Sequence, residues 1–350
     1  MPPHPSTPRC ISTLALFFAH FVASPTLADP QTFSVTLPEG NYRVTVTFGD
    51  AERPSATTVH SENRRLMLEN VETAAGEFVT RSFLANVHTP RIADDRSVQL
   101  KPREIGILRW DERLTLAFSG PSPAVRNVEI APADNVTTIS PGGDSTVTDQ
   151  VEAPWAGWGQ MLPQFFKPDR VVVSNHAESG ESLGSFLGER RLEKILTTIQ
   201  PGDYLFIQFG HNDMKQTGPD AGADKNYTRL LKEFVATARQ HGATPVLITP
   251  MHRLTFDAAG KVTESLGDYP NAMRRVAAEE TVPLIDLNAM SRDYYESVGP
   301  EQIRKAFADD THSNEIAAYE FARFIAAEIQ RGDLDLAREV IDELPRVKAK

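Results

Sequence analysis

The stretch Gly142–Asp149, with the sequence GGDSTVTD, decides the fold prediction for the second half of the chain. It follows a β-rich run at 135–139, and small residues before Ser145 let the backbone turn sharply and present the hydroxyl. Gly-Asp-Ser is also ordinary surface-turn chemistry, so this stretch alone leaves the role of Ser145 open. Three further blocks downstream give it a functional interpretation.

Beyond Pro141, short apolar runs alternate with amphipathic stretches. The apolar runs are typical of strands buried on both faces of a parallel sheet, and they lie at 170–174, 204–210, 245–250 and 282–287. Helical spacing of apolar residues predicts helices at 189–199, 227–241, 269–280 and 315–330. The alternation predicts an α/β domain over 138–350, with a parallel sheet flanked by helices. Its last twenty residues are charged, and we expect a solvated tail there.

Residues 29–137 have a different pattern of apolar and polar residues. Short alternating runs rich in β-branched and aromatic residues are separated by turn residues, and the clearest runs lie at 33–37, 42–48, 76–87 and 113–118. This pattern predicts an all-β sandwich domain in front of the α/β domain. In pattern it resembles the galactose-binding-like jelly-roll domains that precede some carbohydrate-active enzymes. Trp110 is a candidate for its core or for a sugar-stacking platform.

The N-terminus predicts a signal peptide over residues 1–28. Arg9 precedes an apolar run at 11–23, and small residues at Thr26 and Ala28 suit a cleavage site. The apolar run is short for a permanent anchor, so we expect a secreted or periplasmic protein with no membrane anchor. The only cysteine, Cys10, lies inside this segment, which removes disulfides and thiol chemistry from the mature chain.

The overall charge argues against one class of partner. The 350 residues include 47 acidic and 36 basic side chains, for a formal net charge of −11. Nucleic-acid binding needs a basic face, so we expect no nucleic-acid partner. The same charge mildly disfavours long-range attraction of polyanions, and it says little about neutral carbohydrate.

The reactive residues are concentrated in four blocks. After GGDSTVTD come SNHAESGES, FGHND and ADDTHSN, at 174–182, 209–213 and 308–314. All four blocks are expected to follow strands, the fourth directly before the final helix, and the carboxyl ends of parallel strands are where active sites gather. Acyl transfer by a serine needs a base, a group that orients the base, and donors for the developing oxyanion. The blocks supply each part once.

Together these blocks resemble the SGNH (GDSL-type) hydrolases. GDS, N-x-A-x-x-G, GHND and D-x-x-H stand in the family's order. GWGQ at 157–160 and Asp268-Tyr269-Pro270 extend the resemblance to the rhamnogalacturonan acetylesterase branch, carbohydrate esterase family 12. The resemblance covers roughly 138–330 and implies an SGNH, flavodoxin-like parallel sheet.

The resemblance also implies a role for each reactive residue. Ser145 would be the nucleophile, His312 the base and then the acid, and Asp309 the group that orients His312. The N–H of Ser145, the N–H of Gly180 and the side chain of Asn212 would form the oxyanion hole. No metal and no cofactor is implied.

Other candidates compete with these roles. Asp310 adjoins Asp309, but the family acid lies three residues before the histidine, which favours Asp309. His211, Asp213 and His312 are an alternative as a zinc site, but they lack paired ligand spacing and would leave the serine unexplained. The G-x-S-x-G motif of ordinary α/β-hydrolases is absent around Ser145.

Aromatic and polar residues near the four blocks are candidates for contacts to sugar. They are Trp155, Trp158, Asn175, His211 and His252. His211 and His252 have alternative roles, in loop support and in packing. One departure concerns the second block, where related sequences often carry Gly-Arg-Ser and this chain has Gly180-Glu181-Ser182. If the arginine contacts uronate in relatives, an acidic residue here disfavours pectin.

The resemblance, together with the predicted signal peptide, therefore implies an exported serine carbohydrate esterase. Its substrate would be an acetylated polysaccharide or oligosaccharide of the plant cell wall, with rhamnogalacturonan or pectin as the first hypothesis. Deacetylation of xylan or small sugars, or general short-chain esterase activity, is the alternative. A non-catalytic carbohydrate-binding protein is an alternative of another class.

Overall fold

The structure is a computed structural model that describes residues 17–19 and 31–346. The predicted signal peptide lies outside the described residues, apart from 17–19. No helix in the described part of the chain is long and apolar enough to cross a membrane.

The front half consists of two four-stranded antiparallel sheets and a small ribbon. One sheet has the order β1-β10-β3-β6 and the other β2-β9-β4-β5, while β7 pairs with β8. The strands are β1 (Phe17–Ala19), β2 (Gln31–Thr36), β3 (Gly40–Phe48), β4 (Ser55–Ser61), β5 (Arg65–Thr73), β6 (Val79–Val87), β7 (Arg91–Ala93), β8 (Arg96–Ser97), β9 (Arg113–Ser122) and β10 (Val125–Pro132).

Alternating burial explains these strands. In β3, Tyr42, Val44, Val46 and Phe48 are buried in a core to which both sheets contribute, and the residues between them are more exposed. The four predicted strand runs all lie in or overlap observed strands, so antiparallel β-structure in this half is confirmed. The sequence did not predict the hairpin of β4 and β5, whose tip reaches the catalytic half.

The second half contains the predicted parallel sheet, which is confirmed. Its strand order is β12-β11-β13-β14-β15, with every pair parallel. The strands are β11 (Thr137–Gly143), β12 (Val171–Val173), β13 (Tyr204–Gln208), β14 (Thr244–Ile248) and β15 (Leu284–Ile285). The helices are α1 (Trp158–Met161), α2 (Leu183–Gly188), α3 (Arg191–Leu196), α4 (Thr228–Gln240), α5 (Tyr269–Glu279), α6 (Leu287–Val298), α7 (Pro300–Ile303) and α8 (Glu315–Arg331).

Helices cover both faces of this sheet. Tyr204 and Phe206 of β13 face a core that includes α1 and α8, while Leu205 and Ile207 face a second core that includes α2 to α5. The strand residues are buried throughout, as expected for a sheet covered on both sides. Because the strands are parallel, the loops after β11, β12 and β13, which carry the first three reactive blocks, lie at the same edge of the sheet.

Two local predictions need correction. The apolar run at 282–287 forms only the two-residue β15, because the Asp286 side chain accepts a hydrogen bond from the N–H of Ala289 and begins α6. The segment 335–341 is not a solvated tail. Leu336 and Val340 are 2 % exposed, and the N–H of Ile341 donates to the carbonyl of Phe165.

Candidate active site

Ser145 lies in the turn that follows β11, at the carboxyl edge of the parallel sheet. The Asp144 Oδ1 atom closes this turn by accepting hydrogen bonds from the Thr146 N–H at 2.9 Å and its hydroxyl at 2.8 Å. Gly143 is required here, since a Cβ atom would lie 2.4 Å from a methyl group of Val147. The turn leaves Ser145 only 9 % exposed, with its hydroxyl at a cleft.

His312 bridges Ser145 and Asp309. Its Nε2 atom lies 2.9 Å from the Ser145 Oγ atom, and its Nδ1 atom lies 2.7 Å from the Asp309 Oδ2 atom. The Asp309 Oδ1 atom accepts hydrogen bonds from the N–H groups of Thr311 at 2.7 Å and His312 at 2.8 Å. In such a carboxylate–imidazole–hydroxyl chain, the carboxylate holds the ring so that Nε2 can take the hydroxyl proton.

The structure separates Asp309 from its competitor Asp310. Partial burial raises the pKa of Asp309, but the hydrogen bonds from His312 and Thr311 outweigh it and hold the pKa below its usual value. Asp310 instead accepts a hydrogen bond from Arg304 at 2.6 Å. Asp309, not Asp310, therefore faces the imidazole.

Three hydrogen-bond donors on the loops around Ser145 have no acceptor in the described part of the chain. They are the N–H of Ser145, the N–H of Gly180 and one Nδ2 proton of Asn212, whose other Nδ2 proton is bonded to a backbone carbonyl at 3.0 Å. Gln150 joins two of these loops, because its Nε2 atom lies 2.8 Å from the Ser145 carbonyl and 3.4 Å from the Ser179 hydroxyl. Free donors grouped in this way suit an oxyanion.

Two predicted sugar contacts support the Ser145 turn instead. Trp158 is fully buried, and its Nε1–H donates to Gln208, which in turn donates to the Thr146 hydroxyl. Asn175 is also fully buried, with its side-chain amide donating to the Val147 carbonyl. The prediction that Trp158 and Asn175 contact sugar is wrong, because their polar groups already have partners inside the protein.

The two predicted histidines differ. His252 is fully buried, its ring nitrogen lies 3.1 Å from Arg292, and the cleft does not include it, so the predicted sugar contact is wrong. His211 does line the cleft. Its Nε2 atom lies 3.0 Å from the Met251 carbonyl and its Nδ1 atom 3.3 Å from Asp144, so the ring is anchored as part of the wall.

Trp155 is the remaining predicted contact, and its side chain is accessible. The residue is 39 % exposed. Its neighbour Ala156 pairs with Ser313, the residue after His312, through an N–H to carbonyl bond of 2.9 Å. This places Trp155 in the chain segment beside the histidine loop, and it remains a candidate platform for a sugar ring.

The cleft beside Ser145 has a volume of about 320 Å³. Its lining is polar or charged throughout, and it consists of Ser145, His211, Asn212, Lys215, Arg253, Asp309, Asp310, Thr311 and His312. Lys215 and Arg253 were not among the residues that the sequence predicted for the site. Charged residues in loops are mostly solvated, and no motif marks these two.

These two cations have no carboxylate partner within 4.0 Å in the described part of the chain. Lys215 donates to the Asn212 side-chain oxygen at 2.8 Å, and Arg253 donates to the His211 carbonyl at 3.2 Å and to the Thr311 hydroxyl. Burial lowers the pKa of Arg253 below its usual value. The cleft thus has two cations and two carboxylates in its lining, and the carboxylates of Asp309 and Asp310 are bonded to His312 and Arg304.

The acidic residue of the second block does not reach the cleft. Glu181 is fully buried, bound to Lys101, with the Arg191 Nε atom 3.6 Å away and the Ser185 hydroxyl 2.5 Å away. Its charge is balanced inside the protein, so the expected repulsion of an acidic substrate does not arise from this residue.

The imagined zinc trio does not form a cluster. Asp213 is buried and accepts a hydrogen bond from the Leu183 N–H at 3.0 Å, while His211 and His312 have the separate contacts given above. In the part of the chain that the structure describes, no three His, Cys, Asp or Glu side chains are arranged to hold a metal ion.

Comparison with known proteins places this site in a family. Residues 142–317 match the GDSL-like Lipase/Acylhydrolase family. The chain is 41 % identical to rhamnogalacturonan acetylesterase RhgT of Bacillus subtilis over 216 residues, which are 57 % of this chain and 92 % of that protein. It is 30 % identical over 307 residues to the uncharacterized esterase YxiM of the same organism, covering 86 % of this chain and 74 % of that one.

The solved structure of YxiM extends the likeness to the front half. It superposes with a TM-score of 0.55 at 28 % identity and covers 90 % of this chain and 84 % of that one. With the matched segment holding Ser145 and His312 in hydrogen-bond contact, the chain belongs to the GDSL-like lipase/acylhydrolase family and is a carboxylic ester hydrolase.

Proposed function

We propose that this protein is a serine acetylesterase that removes O-acetyl groups from an acidic plant cell-wall polysaccharide, with rhamnogalacturonan as the first candidate. The observation that carries the catalytic part is the hydrogen-bonded series of Asp309, His312 and Ser145. The relatives supply the substrate class, because RhgT is named a rhamnogalacturonan acetylesterase.

The reaction proceeds through an acyl-enzyme. The Ser145 oxygen attacks the acetyl carbonyl carbon while His312 Nε2 takes the hydroxyl proton. The ester C–O bond then breaks, and His312 returns that proton to the sugar oxygen that leaves. Water attacks the acetyl-serine in the same way, with His312 as base, and acetate and free Ser145 are formed. Asp309 holds the Nδ1–H and stabilises the imidazolium.

The oxyanion is stabilised by the three free donors. The N–H groups of Ser145 and Gly180 and the second Nδ2 proton of Asn212 would donate to the negative charge that develops only during the reaction. Removing one such donor costs about 10²–10³ in kcat in a comparable hydrolase. Lys215 holds the Asn212 oxygen, which fixes the orientation of the amide.

The charge of the cleft supports an acidic sugar. Lys215 and Arg253 lack carboxylate partners in the described part of the chain, although the whole protein carries a net charge of −11. A uronate carboxylate next to the acetylated sugar would supply the missing partner. The polar lining has no apolar channel for a long acyl chain, which favours acetate over octanoate.

Export completes the proposal. A wall polysaccharide lies outside the cell, so the enzyme must be secreted or periplasmic, as the predicted signal peptide over 1–28 requires. The front half would then travel with the catalytic half to the polymer.

Acetate release from acetylated rhamnogalacturonan, before and after chemical reduction of its uronates, tests both parts of the proposal. The wild type should release acetate from the charged polymer faster than from the reduced polymer or acetylated xylan, and Ser145→Ala should lose about a millionfold. Activity of Ser145→Ala within tenfold of the wild type would overturn the mechanism. Equal rates on all three polymers would indicate a general short-chain esterase.

Lys215→Ala tests the charge through KM, since loss of the Lys215 hydrogen bond to the Asn212 oxygen should lower kcat on both polymers alike. It should raise KM about tenfold on the charged polymer and leave KM on the reduced polymer unchanged. Lys225→Ala is the matched control, because Lys225 is exposed outside the cleft and donates to the Pro219 carbonyl. If both lysine variants behave alike, Lys215 does not contact a uronate.

A further inference from the structure

We propose that Arg103, from the front half of the chain, is a positioning residue for the oxyanion hole. This inference rests on the proposed function, since it assigns a role in the same site. Arg103 lies in the segment between β8 and β9, some 75 residues before the loop that it contacts.

The contact is to one particular peptide group. The Nη2 atom of Arg103 donates to the Ser179 carbonyl oxygen, and the Lys101 ammonium lies 3.4 Å from the same oxygen. That carbonyl and the N–H of Gly180 belong to one peptide bond. The N–H is the predicted oxyanion donor, and it has no acceptor in the described part of the chain.

Peptide geometry explains how the contact to the Ser179 carbonyl orients the Gly180 N–H. The peptide unit is planar and trans, so its C=O and N–H point in opposite directions, and a cation that holds the oxygen fixes the direction of the N–H. Hydrogen bonds at the oxygen also polarise the unit and strengthen its N–H as a donor. Gly180 has a φ of +82° in an exposed turn, where the backbone needs an external anchor.

Glu178 fixes the guanidinium of Arg103. Its Oε1 atom accepts a hydrogen bond from the Arg103 Nε–H at 3.0 Å, and its Oε2 atom accepts one from the buried Arg109 at 2.6 Å. The Glu178 N–H donates to the Gly143 carbonyl at 3.1 Å, directly before the Ser145 turn. Arg103 and Arg109 of the front half therefore bind Glu178, which lies in the loop of Gly180 and is bonded to the end of the strand before Ser145.

Arg103 is the right member of this group to change. Its side chain is 54 % exposed, whereas Arg109 is 1 % exposed, so replacing Arg103 spares the buried network. Arg113→Met is the matched control. Arg113 is an exposed arginine of the same half, and its Nε–H donates to the Ser34 hydroxyl within that half.

The first measurement is steady-state hydrolysis of p-nitrophenyl acetate by the full chain. Arg103→Met should lower kcat about tenfold with KM within twofold, since the donor is loosened rather than removed. Arg103→Lys, which keeps a cation near the Ser179 carbonyl, should recover part of the loss. Arg113→Met should match the wild type, and all variants should melt within a few degrees of each other.

The second measurement is the rate constant of Ser145 inactivation by diisopropyl fluorophosphate. Its phosphoryl oxygen occupies the same hole, so the rate constant should fall by the same factor for Arg103→Met. A merely structural role would lower the number of labelled serines and leave the rate constant unchanged.

Three results would overturn the inference. They are an Arg103→Met enzyme with wild-type kcat and labelling rate, a change confined to KM on polymer, or equal losses in Arg103→Met and Arg103→Lys. Failure of the proposed function looks different, because Ser145→Ala would then stay active or the reagent would label another residue.

Discussion

At the scale of single residues, the site is explained by which polar groups are satisfied inside the protein and which are not. Trp158, Asn175 and His252 have internal partners and no exposure, so they support the loops. Asn212 differs, because one of its amide protons is bonded and the other is free. Within the described residues, the free proton of Asn212 and two cations without a carboxylate in contact, Lys215 and Arg253, lie at the cleft.

Asn212→Ala gives the first prediction. Removing the free amide proton takes away a bond that forms only with the oxyanion, so kcat should fall about a hundredfold or more with little change in KM. Steady-state kinetics on p-nitrophenyl acetate measures this. Asn271→Ala is the control, since Asn271 bonds Asp268 and Arg274 on α5. A change confined to KM would make Asn212 a binding residue instead.

The sequence predicts the roles of some site residues correctly and those of others incorrectly. Ser145, Asp309 and His312 stand in recognisable blocks, and the structure places them within hydrogen-bond distance of one another. Whether an aromatic or amide near a block faces substrate depends on packing from distant segments. The block pattern holds no information about that packing, so Trp158 and Asn175 were misassigned.

At the scale of elements, the loop after β13 carries an acid that the reaction does not use. Asp213 lies 3 % exposed, with its Oδ1 atom bonded to the first N–H of α2 and its Oδ2 atom unpaired. Burial, followed by repulsion from Asp144, raises the pKa of Asp213 to about 7. Asp213 therefore links the loop after β13 to the start of α2, while its burial raises the free energy of its ionised form.

This pKa sets the sign of the second prediction. Below about pH 4 the carboxyl is protonated in both folded and unfolded chains, so it has no effect on stability. Between pH 4 and 7 only the unfolded chain releases the proton, and the free energy of unfolding falls as pH rises. Above pH 7 both forms are ionised and the loss stays constant.

Asp213→Asn should remove that loss. The free energy of unfolding of the variant minus that of the wild type should increase between pH 4 and 7, by on the order of a few kcal/mol in total, and then level off. Urea unfolding at several pH values measures the difference. The slope is the readout, because any packing effect of the amide is the same at every pH. A flat difference would show that Asp213 is ionised throughout this range.

The elements themselves follow from the sequence where one signal dominates. The buried strands β12, β13 and β14 were predicted because their apolar runs are uninterrupted, and α4, α5 and α8 because their apolar residues recur at helical spacing. The strand predicted at 282–287 is longer than the observed β15, because Asp286 begins α6. In the sequence, a helix-capping residue at this point looks the same as a residue at the end of a strand. The segment 335–341 was predicted to be solvated because its two buried apolar residues, Leu336 and Val340, have charged neighbours in the sequence.

At the scale of the whole molecule, the two halves share a buried charged interface that the sequence does not reveal. Arg65 of β5 is 1 % exposed and binds Asp149 at 2.6 Å and the Val173 carbonyl at 3.0 Å. Arg191 of α3 binds Glu104 of the front half at 2.5 Å. The three pairs lie 84, 87 and 108 residues apart in the chain, beyond the reach of any local pattern.

This interface changes the role expected of the front half. The sequence suggested a separate unit in front of the enzyme, with no catalytic candidate of its own. The structure places its arginines on the segments that carry Ser145 and Gly180. We therefore expect the halves to unfold together, because unfolding of one half removes the partners of charges that are buried in the other half.

Arg65→Met tests this expectation. The substitution leaves the Asp149 carboxylate buried without its cation, which costs about 3–5 kcal/mol of unfolding free energy. Differential scanning calorimetry of the full chain should show one transition for the wild type and one transition, lowered by roughly 5 °C or more, for the variant. Arg81→Met is the control, since Arg81 is exposed and its side chain bonds, among the residues that the structure describes, only to the carbonyl of the adjacent Thr80. Its Tm should stay within about a degree of the wild type. Two separate transitions, only one of which shifts in Arg65→Met, would mean that the halves are independent and that the arginine contacts do not couple them.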